Sequence, residues 1–371
     1  MNRTALKPNT ERLTATFLDL VRIPSPSWKE EKVIRYITGR LKKLRVPFEL
    51  LPCGPSHNLL ARVEGTRRAP TTLLSCHMDT VVPCDRVTPV VKGNRVSSDG
   101  TSILGGDDKA AVAAILETLA VLKEEKMEHG PLEILFSCAE EVGLKGIKAF
   151  DFSLLKARYG FVFDSGGKIG TVILKAPSQI SMEITVRGKA AHAGMEPEKG
   201  ISAIRVLADI ISSIPHGRLD PSTTVNVGTI GGGKATNIVA EEASCLLEAR
   251  SLQWDRLRET EETIRKICKM KADKNGARVK IKRTLEYRGF SIDPAGPVAR
   301  IADRAIKALG RKPLYTASGG GSDTNVINQS GIRAINLSIG MRNVHTTREN
   351  ILLSDLAAGA GLMLSIIDSV R

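Results

Sequence analysis

Two adjacent acids follow the apolar run in LFSCAEEVGLKG, residues 135–146: Glu140 and Glu141. Neighbouring carboxylates repel, but consecutive side chains at a strand end point in different directions, so such a pair can face two different partners. Residues of matching kinds follow other apolar runs. His77 and Asp79 come after TTLLSC, Asp107 and Asp108 after SILGG, Asp164 after GFVF, and His345 after RAINLSIGMRNV. Taken singly, each has an ordinary explanation. A lone histidine is commonly a satisfied structural residue, an aspartate opening a helix is commonly its cap, and two glutamates make a solvated turn. Taken together, they are the donor types of a two-metal hydrolytic site. Imidazole and carboxylate suit Zn²⁺, Co²⁺ or Mn²⁺, and two ions about 3.5–4 Å apart need a bridging carboxylate plus terminal ligands for each.

The elements that would carry these residues alternate. TTLLSCHMDT, PLEILFSC and YGFVFDSGG have the length and apolar content of buried strands, and DDKAAVAAILETLAVLKEE has the spacing of a buried helix. Strands separated by helices predict an α/β domain with a mainly parallel sheet, in which ligands bind beyond the carboxyl ends of the strands. The final stretch repeats the pattern. The middle differs: QISMEITVRG alternates as a half-exposed strand, and helix, two strands, helix and strand follow it. That order, βαββαβ, predicts a ferredoxin-like module over 177–289, interrupting a domain made of 1–176 and 290–371.

The bulk properties narrow the function. Lys and Arg number 54 against 40 Asp and Glu, a formal net charge of +14. The basic residues are interleaved with acids, and aromatics make up only 4%, so no stacking platform for nucleic acid is expected. No apolar run reaches the ~18 residues of a membrane span. The first residues, MNRTALKPNTERLTATF, lack the apolar core of a signal peptide, and the six cysteines form no CxxC pair. A cytoplasmic protein without structural disulfides is the expectation.

SCHMDTVVP, GGDDKAAVAAILE, AEEVGLKG, VFDSGG, GKAAHAG, GGGSDTNVINQSGI and GMRNVHTTREN together resemble the M20 metallopeptidases, in the family's order, and among them the peptidase T branch. The resemblance implies a zinc-peptidase-like catalytic domain interrupted by a lid and dimerisation domain, hence a homodimer, with two divalent ions per subunit, zinc first and cobalt or manganese as alternatives. It implies His77 and Asp164 as ligands of one ion, Asp107 as the bridge with a cis peptide after it, and Glu141 and His345 as ligands of the other. It further implies Asp79 as the group orienting His77, Glu140 as general base, His192 as a group reaching a partner subunit's site, and Asn237 and Arg250 as substrate contacts. Within the family, an aspartate at the position of Asp164 goes with aminopeptidases and aminoacylases, a glutamate with carboxypeptidases. The expected substrate is a short peptide, such as a tripeptide, cut after its first residue. A carboxypeptidase, an N-acyl amino acid amidohydrolase and a metal-free binding module stand as alternatives.

Overall fold

The structure, a computed structural model, describes residues 7–371. The chain divides into two units, the described residues through Leu174 with Ser291–Ser318 and Ser322–Arg371, and Lys175–Phe290 with Gly319–Gly321.

The first unit is built on a mixed sheet whose strands lie in the order Phe48–Cys53, Ser56–Val63, Leu132–Ser137, Thr72–His77, Tyr159–Ser165, Arg333–Ser338 and Thr171–Ala176. The four central strands, Leu132–Ser137 to Arg333–Ser338, run parallel; antiparallel pairs flank them. Thr72–His77 and Leu132–Ser137 are buried at every position, because helices cover a parallel sheet on both faces. That explains why these stretches read as continuous apolar runs rather than alternating ones. The helix Gly106–Glu124 lies wholly inside, buried from Gly106 through Leu122. Its alanines let the neighbouring helices Thr10–Val21 and Leu353–Ser369 pack against it. Asp107 and Asp108 have non-helical backbone angles, and the bond between them is cis, so the regular helix starts at Lys109.

A small sheet of Pro89–Lys92, Arg95–Ser98 and Asn350–Leu352 has no counterpart in the sequence-based expectation. Its strands are too short to show a period, and the third arrives from some 250 residues away.

In the second unit an antiparallel sheet runs Gly217–Asp220, Thr223–Gly232, Glu242–Ser251, Ser178–Arg187, Arg278–Tyr287. Ile180, Met182, Ile184 and Val186 alternate along Ser178–Arg187 and form one core with residues of the helices Ala203–Ser213 and Trp254–Lys274. The ferredoxin-like order is present, with one strand more than expected. Gly217–Asp220 folds back at Asp-Pro-Ser, where the Asp220 carboxylate accepts from the amide and hydroxyl of Ser222, a turn specified by side chain rather than by periodicity.

Phe161, wholly buried in the central sheet, tests the core of the first unit. Phe161→Ala is expected to lower the unfolding free energy by about 3–5 kcal/mol, read from the urea midpoint. A loss under about 1 kcal/mol would mean that the site collapses around the smaller side chain.

Candidate metal centre

His77 ends the strand Thr72–His77. Its Nε2 lies 3.2 Å from Oδ1 of Asp107 and 3.8 Å from Oδ1 of Asp164. Its Nδ1 lies 2.9 Å from the main-chain oxygen of Asp79 and 3.5 Å from the carboxylate Oδ1. The nearer orienting partner of the imidazole is therefore the carbonyl of Asp79. The Asp79 carboxylate faces the next segment instead, accepting from the amides of Glu140 (2.9 Å) and Glu141 (3.2 Å) and from the hydroxyl of Ser27 (2.6 Å).

The segment bearing the paired acids is not a plain strand end. After Ser137 the chain turns through Ala139, which has a left-handed backbone (φ +49°). The amide of Ala139 donates to Glu30 (3.0 Å), a wholly buried carboxylate that also accepts from Trp28. The carbonyl of Glu140 then accepts from Gly143 and Leu144. Asn58 ties the loop to the helix that follows, donating to the carbonyl of Gly146 and accepting from the amide of Cys138. Gly146 packs so close that a Cβ there would lie 1.9 Å from the carbonyl oxygen of Cys138. The second half of AEEVGLKG thus fixes the first.

Asp164 is held through its backbone. Asn336 on the neighbouring strand accepts from its amide and donates to its carbonyl, both at 3.0 Å. His345 places Nε2 at 3.2 Å from Oδ2 of Asp107 and 3.1 Å from Oε1 of Glu141. Asp107 thus lies between the two imidazoles, one on each oxygen.

Among the described residues, two trios have donor atoms lying within 4.8 Å of one another, His77 with Asp107 and Glu141, and His77 with Asp108 and Asp164. The sequence groups Asp108 with the candidate donors but assigns it no role. It is fully buried, and its Oδ1 has no hydrogen-bond partner among the described residues. Asp323 is an acid that sequence reasoning missed. It is buried, takes the hydroxyl hydrogen bond of Ser137, and burial lifts its pKa to about 6.

The electrostatics call for added positive charge. Burial, reinforced by neighbouring carboxylates, pushes Asp108, Glu140 and Asp164 well above the usual carboxylate range. Burial opposes charge on His77, yet its hydrogen bonds to Asp107 and Asp79 outweigh that and raise its pKa. Hydrogen bonds to Asp107 and Glu141 lift His345 to about 10. Divalent cations placed among these groups would favour their charged carboxylate forms and reverse such shifts. Donor types, spacing and charge all fit divalent metal ions.

The remaining predicted residues lie in the second unit. His192 is exposed, and its Nδ1 accepts from the amides of Gly194 and Met195, both at 3.2 Å. That leaves the proton of the neutral ring on Nε2. Asn237 is exposed one residue from Ile238, which bridges to His192, and its carbonyl accepts from Ala193. Arg250 is held by Glu248 through both Nε and Nη2 at 2.9 Å.

A family model described as peptidase dimerisation domain matches residues 176–276, and one described as peptidase family M28 matches residues 58–199. The aminopeptidase PepT from Bacillus cereus ATCC 10987 superimposes with a TM-score of 0.90 at 37% identity, over 98% of this chain and 99% of that one. A tripeptidase from Staphylococcus aureus superimposes with a TM-score of 0.93 at 36% identity, over 97% and 98%. The chain belongs to the M20 metallopeptidases. This M20 chain is also 39% identical to the uncharacterized protein YqjE of Bacillus subtilis, over 97% of its own length and 98% of the other's. It is a metallopeptidase with an α/β catalytic fold, a mostly parallel sheet and an inserted dimerisation domain. No helix among the described residues is long and apolar enough to cross a membrane.

In this M20 chain Gly146→Ala touches no candidate ligand, yet is expected to displace Cys138–Glu141 and to cut kcat at least about tenfold. Steady-state kinetics beside a thermal melt check this. Wild-type kcat would show that the loop absorbs the added methyl.

Proposed function

We propose that this M20 peptidase removes the N-terminal residue from short peptides, tripeptides foremost, using two divalent ions. Supporting this reading is the division of labour in the paired acids. Glu141 belongs to a donor trio, whereas Glu140, buried beside it, belongs to neither trio. His77 and Asp164 would hold one ion, Glu141 and His345 the other, with Asp107 shared; Asp108 adds a donor beside His77 and Asp164. Zinc suits the imidazole and carboxylate set, as do cobalt and manganese. When bound, such ions lower the pKa of water and polarise a carbonyl.

Glu140 would take the proton of the water that attacks the peptide carbonyl and deliver it to the leaving amine. Asp79 supports both glutamates by holding their amides while its carbonyl sets the tautomer of His77. His192, with its proton on Nε2, is suited to donate a hydrogen bond to the developing oxyanion. Arg250 and Asn237 would contact the substrate. The dimerisation-domain match supports a homodimer, the names of the two similar solved structures support the short-peptide substrate, and six unpaired buried cysteines suit the cytoplasm.

Glu140→Gln is expected to lower kcat by about 10²–10⁴ while keeping its metal content, whereas Glu141→Gln is expected to lose metal affinity. Metal analysis and kinetics of both variants separate the roles; loss of metal from the Glu140 variant would show them misassigned. Chelation should abolish activity, and Zn²⁺, Co²⁺ or Mn²⁺ should restore it. With the restored enzyme, Ala-Ala-Ala should be cleaved at its first bond. Cleavage of N-acetyl amino acids alone would sink the aminopeptidase reading.

A further inference from the structure

One buried carboxylate near the centre has no place in the chemistry above. Glu349 is wholly inaccessible to solvent. Its Oε2 accepts from the amide of Gly105 at 2.7 Å, and its Oε1 from the amide of Asp107 at 2.8 Å. Gly106, between them, approaches so closely that a Cβ would lie 3.1 Å from Oε1. The turn that delivers Asp107 is thus wrapped around the side chain of a residue 242 positions away.

Glu349 also belongs to the loop that delivers His345. Arg342 and Asn350 exchange two main-chain hydrogen bonds and close the segment between them. From Asn350 the chain continues into a strand paired with Arg95–Ser98, so the backbone on the far side of Glu349 is anchored. One end of Glu349 is therefore fixed in the His345 loop, and its carboxylate grips the Asp107 turn. His345 and Asp107 are the pair whose atoms lie 3.2 Å apart in the centre.

We propose that Glu349 is a positioning residue that sets the spacing between Asp107 and His345, and thereby the affinity for the ion held by Asp107, Glu141 and His345. This rests on the two-ion reading given above. Glu349 belongs to neither donor trio and accepts from the backbone amides of Gly105 and Asp107, so its effect is geometric and falls on one ion more than on the other. The second ion shares Asp107 and its neighbour Asp108 with the Glu349 turn but keeps His77 and Asp164, which hang from the parallel sheet and from Asn336, whereas the ion of Glu141 and His345 would lose the setting of both Asp107 and His345.

The test is calorimetric titration of the metal-free full chain with Zn²⁺, for wild type and Glu349→Gln. In the variant the amide nitrogen faces one of the two backbone donors, so one hydrogen bond is lost at nearly constant volume. Wild type is expected to bind two ions. The variant should bind one ion at least about tenfold more weakly, with a clearly smaller loss at the other. Raising free Zn²⁺ should recover kcat in the variant, with KM for peptide unchanged. Two ions bound with wild-type affinity, or both weakened equally, would overturn the proposal. Glu349→Asp carries the same measurement if the Gln variant does not fold, and failure of both to fold would assign Glu349 to folding instead. Fewer than two ions in wild type would overturn the two-ion reading itself, and this inference with it.

Discussion

Negative charge concentrated in a dry interior is the constraint around which the catalytic unit is organised. Several carboxylates and two imidazoles converge where the central strands end, and an isolated buried carboxylate is strongly disfavoured. The chain meets this by lining the outer side of the cluster with backbone donors. Asp79 takes the amides of Glu140 and Glu141, Glu30 that of Ala139, and Glu349 those of Gly105 and Asp107. Each acid satisfied by amides is one that need not compete for the central cations. Asp107 and Glu141, which face imidazoles and neighbouring acids, leave the space between them for positive charge.

This two-layer arrangement separates two properties that a metal site must combine. The inner layer offers candidate donor atoms, and its chemistry is fixed by residue type. The outer layer supplies placement through main-chain hydrogen bonds, which tolerate little displacement. Asn336 belongs to the outer layer, because it fixes Asp164 without touching its carboxylate.

Most of the inner layer is legible in the sequence, whereas of the outer layer only Asp79 is. His77, Asp107, Glu141, Asp164 and His345 each stand just beyond an apolar run, so strand-end logic finds them without knowledge of pairing. Glu30, Asn336 and Glu349 carry no such mark, since their bonds reach across 109, 172 and 242 residues to backbone atoms of other elements. Asp108 stands among the candidate donors in the sequence but carries no assigned role, because nothing local reveals the non-helical turn at the start of that helix. The α/β alternation and the inserted βαββαβ order followed from periodicity. The strand Gly217–Asp220 did not, because four residues are too few to show one.

The seam between the units carries a consequence of its own. The catalytic unit is interrupted after Leu174 and resumes at Ser291, and the amide of Ile292 donates to the carbonyl of Leu174 at 2.8 Å. The two cut ends therefore stand side by side in one hydrogen-bonded ladder. A chain broken there can be rejoined by a short turn, and the segment between has its own apolar core. Such a junction lets the inserted segment change in length or sequence without forcing the receiving ladder out of register.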